Sequence, residues 1–159
     1  LNFDAHTDLR WLEYRHSGNG FSYALDHGFL KKYFMAGVDK AYTPEYIYEF
    51  MDQNNDIRCL FSDDIYKLSH HELFDQLKSE TERLKSFGLE IDMDCVQHQP
   101  ASALNPLGFS PQQLSAVLGK INPENLEYLH ICEAHKKDGF ASAKLVSHLI
   151  FSIFTGKFY

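Results

Sequence analysis

Asp4, His6 and Asp8 stand two residues apart in the run DAHTD, and Asp92 and Asp94 repeat that spacing in DMD. In an extended chain, alternate side chains share one face, roughly 6.6 Å apart. If the two segments end neighbouring strands, four carboxylates and one imidazole converge. Carboxylates held that close raise each other's pKa unless cations neutralise them. Two divalent ions about 3.5–4 Å apart, sharing bridging carboxylates, relieve that repulsion and generate a nucleophile from water. Oxygen donors with one imidazole suit Mn²⁺ best, with Zn²⁺ and Fe²⁺ remaining open. A lone D-x-D is common in solvated turns and Mg²⁺ contacts. DAHTD is more specific, because burying three polar groups at the end of an apolar strand is costly without partners.

The elements that position these residues follow from periodicity. Short apolar runs over 1–5, 33–38, 57–61, 89–93 and 128–132 read as strands. Helical segments are expected over 21–27, 44–53, 69–87, 110–121 and 140–154. Asn19 is a candidate cap for the first, and Thr43 caps the second with Pro44 at its first helical position. Ser69 and Glu72 form a capping box for the third, and Gly88 is its stop. Pro111 opens the fourth. Strand–helix alternation implies a mainly parallel sheet covered by helices on both faces. The longest irregular stretch, 95–109, directly follows DMD, where loops at carboxyl strand ends serve sites.

Composition narrows the partners. Of 159 residues, 44% are hydrophobic and 23% charged, as in an ordinary globular domain, and the formal net charge is −7. An acidic chain without a basic stretch lacks a phosphate-binding surface, so no nucleic-acid partner is expected. No apolar run reaches the roughly 18 residues a membrane span needs, and the apolar stretch 145–154 is interrupted by Ser147, His148 and Ser152. Cys59, Cys95 and Cys132 lie far apart, with no C-x-x-C pair. They read as reduced, core-type thiols of a cytoplasmic protein. The chain opens on strand-like Leu1-Asn2-Phe3 with no initiating Met and no signal-peptide lead-in, so it is expected to begin inside a longer protein. Apolar surface uncovered by the missing part would favour self-association, and a homo-oligomer is expected.

NFDAHTD at 2–8, HSGNGF at 16–21, IDMD at 91–94 and HICE at 130–133 resemble, in that order, the motifs of the ureohydrolases, the family of arginase, agmatinase and formimidoylglutamase. The resemblance spans essentially the whole chain. It implies that residues 1–159 form a single ureohydrolase-like domain, N-terminally truncated. The implied fold is a three-layer α/β/α arrangement lacking the N-terminal strands. It also implies a dinuclear manganese centre whose bridging hydroxide attacks a guanidinium or formimino carbon of a small-molecule substrate and hydrolyses a C–N bond. On that mapping Asp4 and Asp92 bridge both ions, His6 and Asp94 complete one shell, and Asp8 serves the other ion. Glu133 holds the cationic end of the substrate, as a strand-end carboxylate can by charge-assisted hydrogen bonds; the plainer alternative is an ordinary exposed carboxylate. Ser17, Gly18 and Asn19 contact the substrate's amino-acid end or help shape the pocket.

Three departures qualify the mapping. The family's glycine-rich motif, ending in a metal-binding His, would precede residue 1, so one ion is expected to be a ligand short in this chain. Arginase follows its S-G-N with a proton-shuttling His, whereas here Gly20 and Phe21 follow. The family's Asp-Pro after D-x-D is replaced by Cys95-Val96-Gln97-His98. The second departure, with Asp8-Leu9-Arg10 after the ligand run, favours formimidoylglutamate as substrate. Arginine or agmatine as substrate, and a non-catalytic relic serving binding or assembly, are the alternatives. His16 and His98 fall in candidate site loops, and His16 is a candidate for substrate contact or proton transfer.

Overall fold

The computed structural model describes every residue except Arg83, 136–139 and 157–159, and describes His70 by its backbone alone. Five strands, β1 (Asn2–Phe3), β2 (Tyr33–Val38), β3 (Ile57–Phe61), β4 (Phe87–Asp92) and β5 (Leu126–Cys132), form one sheet in the order β3-β2-β1-β4-β5. Every pairing is parallel. Six helices accompany them among the described residues: α1 (Gly20–Asp26), α2 (Glu45–Asp52), α3 (Ser62–Ile65), α4 (His70–Thr81), α5 (Pro111–Leu118) and α6 (Ala141–Thr155).

Alternation along the strands divides the core between two faces. Phe3, Ala36, Leu60, Phe87, Leu89 and Ile91 point to one face, under α3 to α6, where Leu73, Leu77, Leu114, Leu118, Leu149 and Ile153 are buried. Tyr33, Met35, Val38 and Ile57 point to the other, under Ile47 of α2, with Phe21 and Leu25 of α1 at the margin. On that second face β1 and β4 carry Asn2, Glu90 and Asp92 where a fully covered parallel strand would be apolar. Apolar cover therefore stops over β1 and β4, and polar chemistry begins there.

The chain leaves β1 in one direction through β2 and β3, then returns to the opposite side of β1 for β4 and β5. β1 and β4 thus flank the point where the strand order reverses, and a crevice opens at the carboxyl ends of such strands. DAHTD follows β1 and DMD closes β4, so topology alone brings the two motifs together.

Several boundaries differ from the expectation. The first strand is only Asn2–Phe3; the Asp4 N–H still donates to the Ala36 carbonyl, and beyond it the Asp4 carboxylate accepts from the His6 N–H. The helix expected over 69–87 ends at Thr81, and Phe87 and Gly88 belong to β4; Arg83, inside that predicted helix, lies outside the described residues. Gly88 is not a helix stop: a Cβ there would fall 2.2 Å from the Tyr128 ring. The capping box of Ser69 and Glu72 is present, as is one of Ser110 and Gln113 ahead of Pro111. Thr43 does not cap α2; its hydroxyl donates to the Asp39 carbonyl and Pro44 takes the cap position. Asn19 sits at the cap position of α1 but makes no side-chain cap bond. No helix of the described residues is long and apolar enough to cross a membrane.

Candidate metal centre

Asp4, His6 and Asp94 bring one ligand atom each to within 4.8 Å of one another. Asp4 and Asp94 are buried, and the His6 side chain is 28% exposed. His6 Nδ1 lies 3.0 Å from Asp94 Oδ2 and 3.6 Å from Asp4 Oδ1. Backbone donors aim the carboxylates: the His6 N–H donates to Asp4 Oδ1 at 2.7 Å, and the Ala5 N–H to Asp94 Oδ1 at 3.1 Å. The second contact ties DMD to DAHTD directly. Asp92 accepts from the Asp94 N–H at 2.9 Å, and the Cys132 thiol donates to its other oxygen at 3.4 Å.

The electrostatics are those of a cluster short of positive charge. Burial raises the Asp4 carboxyl above the usual range. Burial, then the neighbouring charge of Asp4, pushes Asp8 up to about 7. Burial and the charges of Asp4 and Asp94 push Asp92 up to about 8. The carboxylates of Asp4 and Asp94 hold the His6 imidazolium up to about 10. A protonated imidazole between two carboxylates occupies the electrostatic role a cation would fill. Oxygen donors with one imidazole are a donor set for a hard or borderline divalent ion such as Mn²⁺.

Asp8 and Asp92 stand beside the three-residue cluster and feel its charge, without joining the group of ligand atoms that lie within 4.8 Å. Backbone strain marks the site independently. The described non-glycine residues with positive φ are Asp8 (53°), His98 (60°) and Glu133 (56°), all named above as candidates from sequence. A left-handed conformation costs an L-residue roughly 1–2 kcal/mol, and such strain gathers at functional sites. Glu133 is exposed immediately after β5.

The S-G-N turn divides in role. Ser17 is exposed. Asn19 is fully buried and serves the loop: Nδ2 donates to the Trp11 and Tyr14 carbonyls, and Oδ1 accepts from the His16 N–H. With both amide donors so used, Asn19 shapes the loop and makes no contact outward. His16 Nδ1 accepts from the Gly18 N–H while Nε2 lies 3.5 Å from Glu13, so this imidazole is a turn cap. A Cβ at Gly18 would lie 3.1 Å from the Arg10 side chain, which passes against it. Phe21 stacks on Tyr33 at 4.4 Å and is part of the core margin.

Sequence reasoning missed the residues that support the ligands. Asn2 Nδ2 donates to Asp4 Oδ2 at 3.0 Å and to Tyr33 Oη at 2.8 Å, and Tyr33 donates to the Thr7 carbonyl at 3.1 Å. These three form a buried brace behind the Asp4 carboxylate. Asn2 had a signal, being two residues before Asp4 on the same strand face; Tyr33 had none without the register of β1 on β2.

The sequence profile of the arginase family matches residues 1–155, and the chain belongs to the arginase family. A formimidoylglutamase from Streptococcus pyogenes serotype M6 is 31% identical over 130 residues, which is 76% of this chain and 40% of that protein. The crystal structure of formimidoylglutamase from Bacillus subtilis superposes with a TM-score of 0.85 at 19% identity, covering 98% of this chain and 51% of that one. Trypanosoma cruzi formiminoglutamase, determined with Mn²⁺, gives 0.81 at 16% identity over 98% of this chain and 55% of that one. The chain therefore spans about half the length of the proteins it matches.

Proposed function

We propose that this chain supplies the metal centre of a manganese-dependent hydrolase of C–N bonds, acting on formimidoylglutamate. The observation that carries the reading is the convergence of Asp4, His6 and Asp94 at the carboxyl ends of β1 and β4. Asp4 and Asp92 would be shared between the ions, His6 and Asp94 would help hold one of them, and Asp8 would help hold the other. Bound there, two divalent ions would lower the pKa of water enough to supply a nucleophile near neutral pH. Glu133 holds the planar cationic group of the substrate, and Ser17 faces its far end.

Two features of this chain support formimidoylglutamate over guanidino compounds. Phe21 follows the S-G-N turn where arginase carries a proton-shuttling imidazole, and its ring is committed to Tyr33. A positioned acid–base group contributes typically about 10²–10⁴-fold, and expulsion of a poor amine leaving group needs it most. Arg10 lies close enough to Asp8 to act on its charge, and its guanidinium has no ion-pair partner among the described residues. It is available to a carboxylate; formimidoylglutamate carries two, agmatine none.

The test is a side-by-side assay of formimidoylglutamate, arginine and agmatine with the Mn²⁺-loaded product of the complete gene. Formimidoylglutamate should be turned over at least about 10²-fold faster than either guanidino compound, the lower end of the acid–base effect. Arginine or agmatine as the better substrate would overturn the substrate assignment and leave the metal centre standing. Activity on none of the three would overturn the hydrolase reading.

A further inference from the structure

A metal-binding histidine is ordinarily held in place by a hydrogen bond on its second ring nitrogen, which fixes both tautomer and ring orientation. His6 lacks that device. Its Nδ1 faces Asp94 and Asp4, and no described residue offers a hydrogen-bond partner to Nε2. What meets the ring instead is Tyr42, stacked on it with centroids 5.1 Å apart and planes 21° from parallel.

Tyr42 is itself well anchored to the strand it serves. It closes the turn Lys40–Tyr42, capped by Asp39, whose Oδ1 accepts from the Ala41 N–H at 2.8 Å. The Tyr42 N–H donates to the Asp39 carbonyl at 3.1 Å, and the Asp39 N–H donates to the Ala5 carbonyl at 2.9 Å. The turn that carries the tyrosine is thus bonded to the residue next to His6. Apart from the two carboxylates at Nδ1, the Tyr42 ring is the contact that bears on the orientation of this imidazole among the described residues. Tyr42 is also 39% exposed, more than burial of a core aromatic would leave. Its hydroxyl makes no hydrogen bond among the described residues, so the ring face is its evident contribution.

We propose that Tyr42 is a positioning residue for the metal centre, its ring taking the place of the missing hydrogen bond and holding His6 Nδ1 toward the ion. The inference rests on the metal-centre reading above. Tyr46, four residues on, stacks on Trp11 at 4.6 Å and serves as a control on the neighbouring element.

The test is a Mn²⁺ titration of the metal-free chain, read by calorimetry and by paramagnetic broadening of the His6 ring resonances, which registers weak as well as tight binding. Tyr42→Ala should weaken binding about two- to tenfold, the range expected from losing one aromatic stack. Tyr42→Phe and Tyr46→Ala should bind as the wild type does. Should Tyr42→Ala fail to fold, Tyr42→Leu keeps the bulk without the planar ring and reads the same quantity. Unchanged affinity in Tyr42→Ala or Tyr42→Leu, or an equal loss in Tyr42→Phe, overturns the positioning role alone. Absence of His6 broadening in the wild type, or unchanged binding in His6→Ala, overturns the metal-centre reading and this inference with it.

Discussion

Asp94→Asn should abolish measurable Mn²⁺ binding while leaving the fold intact. Asp94 is buried, its Oδ1 accepts from the Ala5 N–H, and its Oδ2 faces His6 Nδ1. The amide can keep the first bond, so the tie between DMD and DAHTD survives. The charge and an oxygen donor are lost from the tightest part of the cluster. Loss of an outer partner of a metal ligand costs roughly 10–100-fold in affinity, so loss of a ligand oxygen should exceed that range. Calorimetry checks it, with Asp63→Asn, an exposed acid paired to Lys40 across the surface, as a control expected to bind normally. Binding by Asp94→Asn within tenfold of wild type would remove Asp94 from the ligand set.

Apparent Mn²⁺ affinity should fall steeply in acid. Ligation requires His6 neutral and the carboxyls ionised, so metal and protons compete. Without metal, His6 is held up to about 10 by Asp4 and Asp94, Asp92 is pushed up to about 8 and Asp8 up to about 7. Each proton displaced contributes up to tenfold per pH unit, so affinity should drop on the order of 10⁴-fold between pH 8 and pH 6. The same shifts set the stability of the metal-free chain. Carboxyls whose folded pKa is raised favour the folded state in acid, and that contribution is lost as pH rises through about 7 and 8. The His6 contribution, fully present below its unfolded value, persists until about 10. Mn²⁺ should therefore raise the Tm far more at pH 8 than at pH 6. Equal Tm shifts at the two pH values would mean that the ion binds elsewhere.

Legibility of this molecule in its sequence followed the range of the interactions involved. Tyr33–Val38 was readable to the residue because it is an almost continuous apolar run, and Ile57–Phe61 because only Arg58, exposed on this edge strand, interrupts its apolar residues between turn residues. The capping box at Ser69 was readable because it is made within four residues. The end of α4 was not: Leu77 and Leu84 keep helical spacing, while the β4–β5 register that claims Phe87 and Gly88 involves residues about 40 positions away. The ligand cluster was legible through the alternation of DAHTD and DMD. What braces it was not, since Tyr33 reaches Asn2 across 31 residues and Tyr42 meets His6 through a turn on another strand. Asn19 shows a different limit. The S-G-N turn is visible as a motif, but its Asn19 amide is consumed by the Trp11 and Tyr14 carbonyls and the His16 N–H, partners that no spacing rule names.

A divalent metal centre at the carboxyl ends of β1 and β4 underlies each of these expected results. Anomalous diffraction from crystals grown with Mn²⁺ near pH 8, recorded on either side of the manganese absorption edge, tests it most directly. A peak coordinated by Asp4, His6 and Asp94 is expected, with Asp8 and Asp92 drawn toward the metal. Manganese seated only at exposed acidic groups, with His6 Nδ1 still 3.0 Å from Asp94 Oδ2, would contradict it.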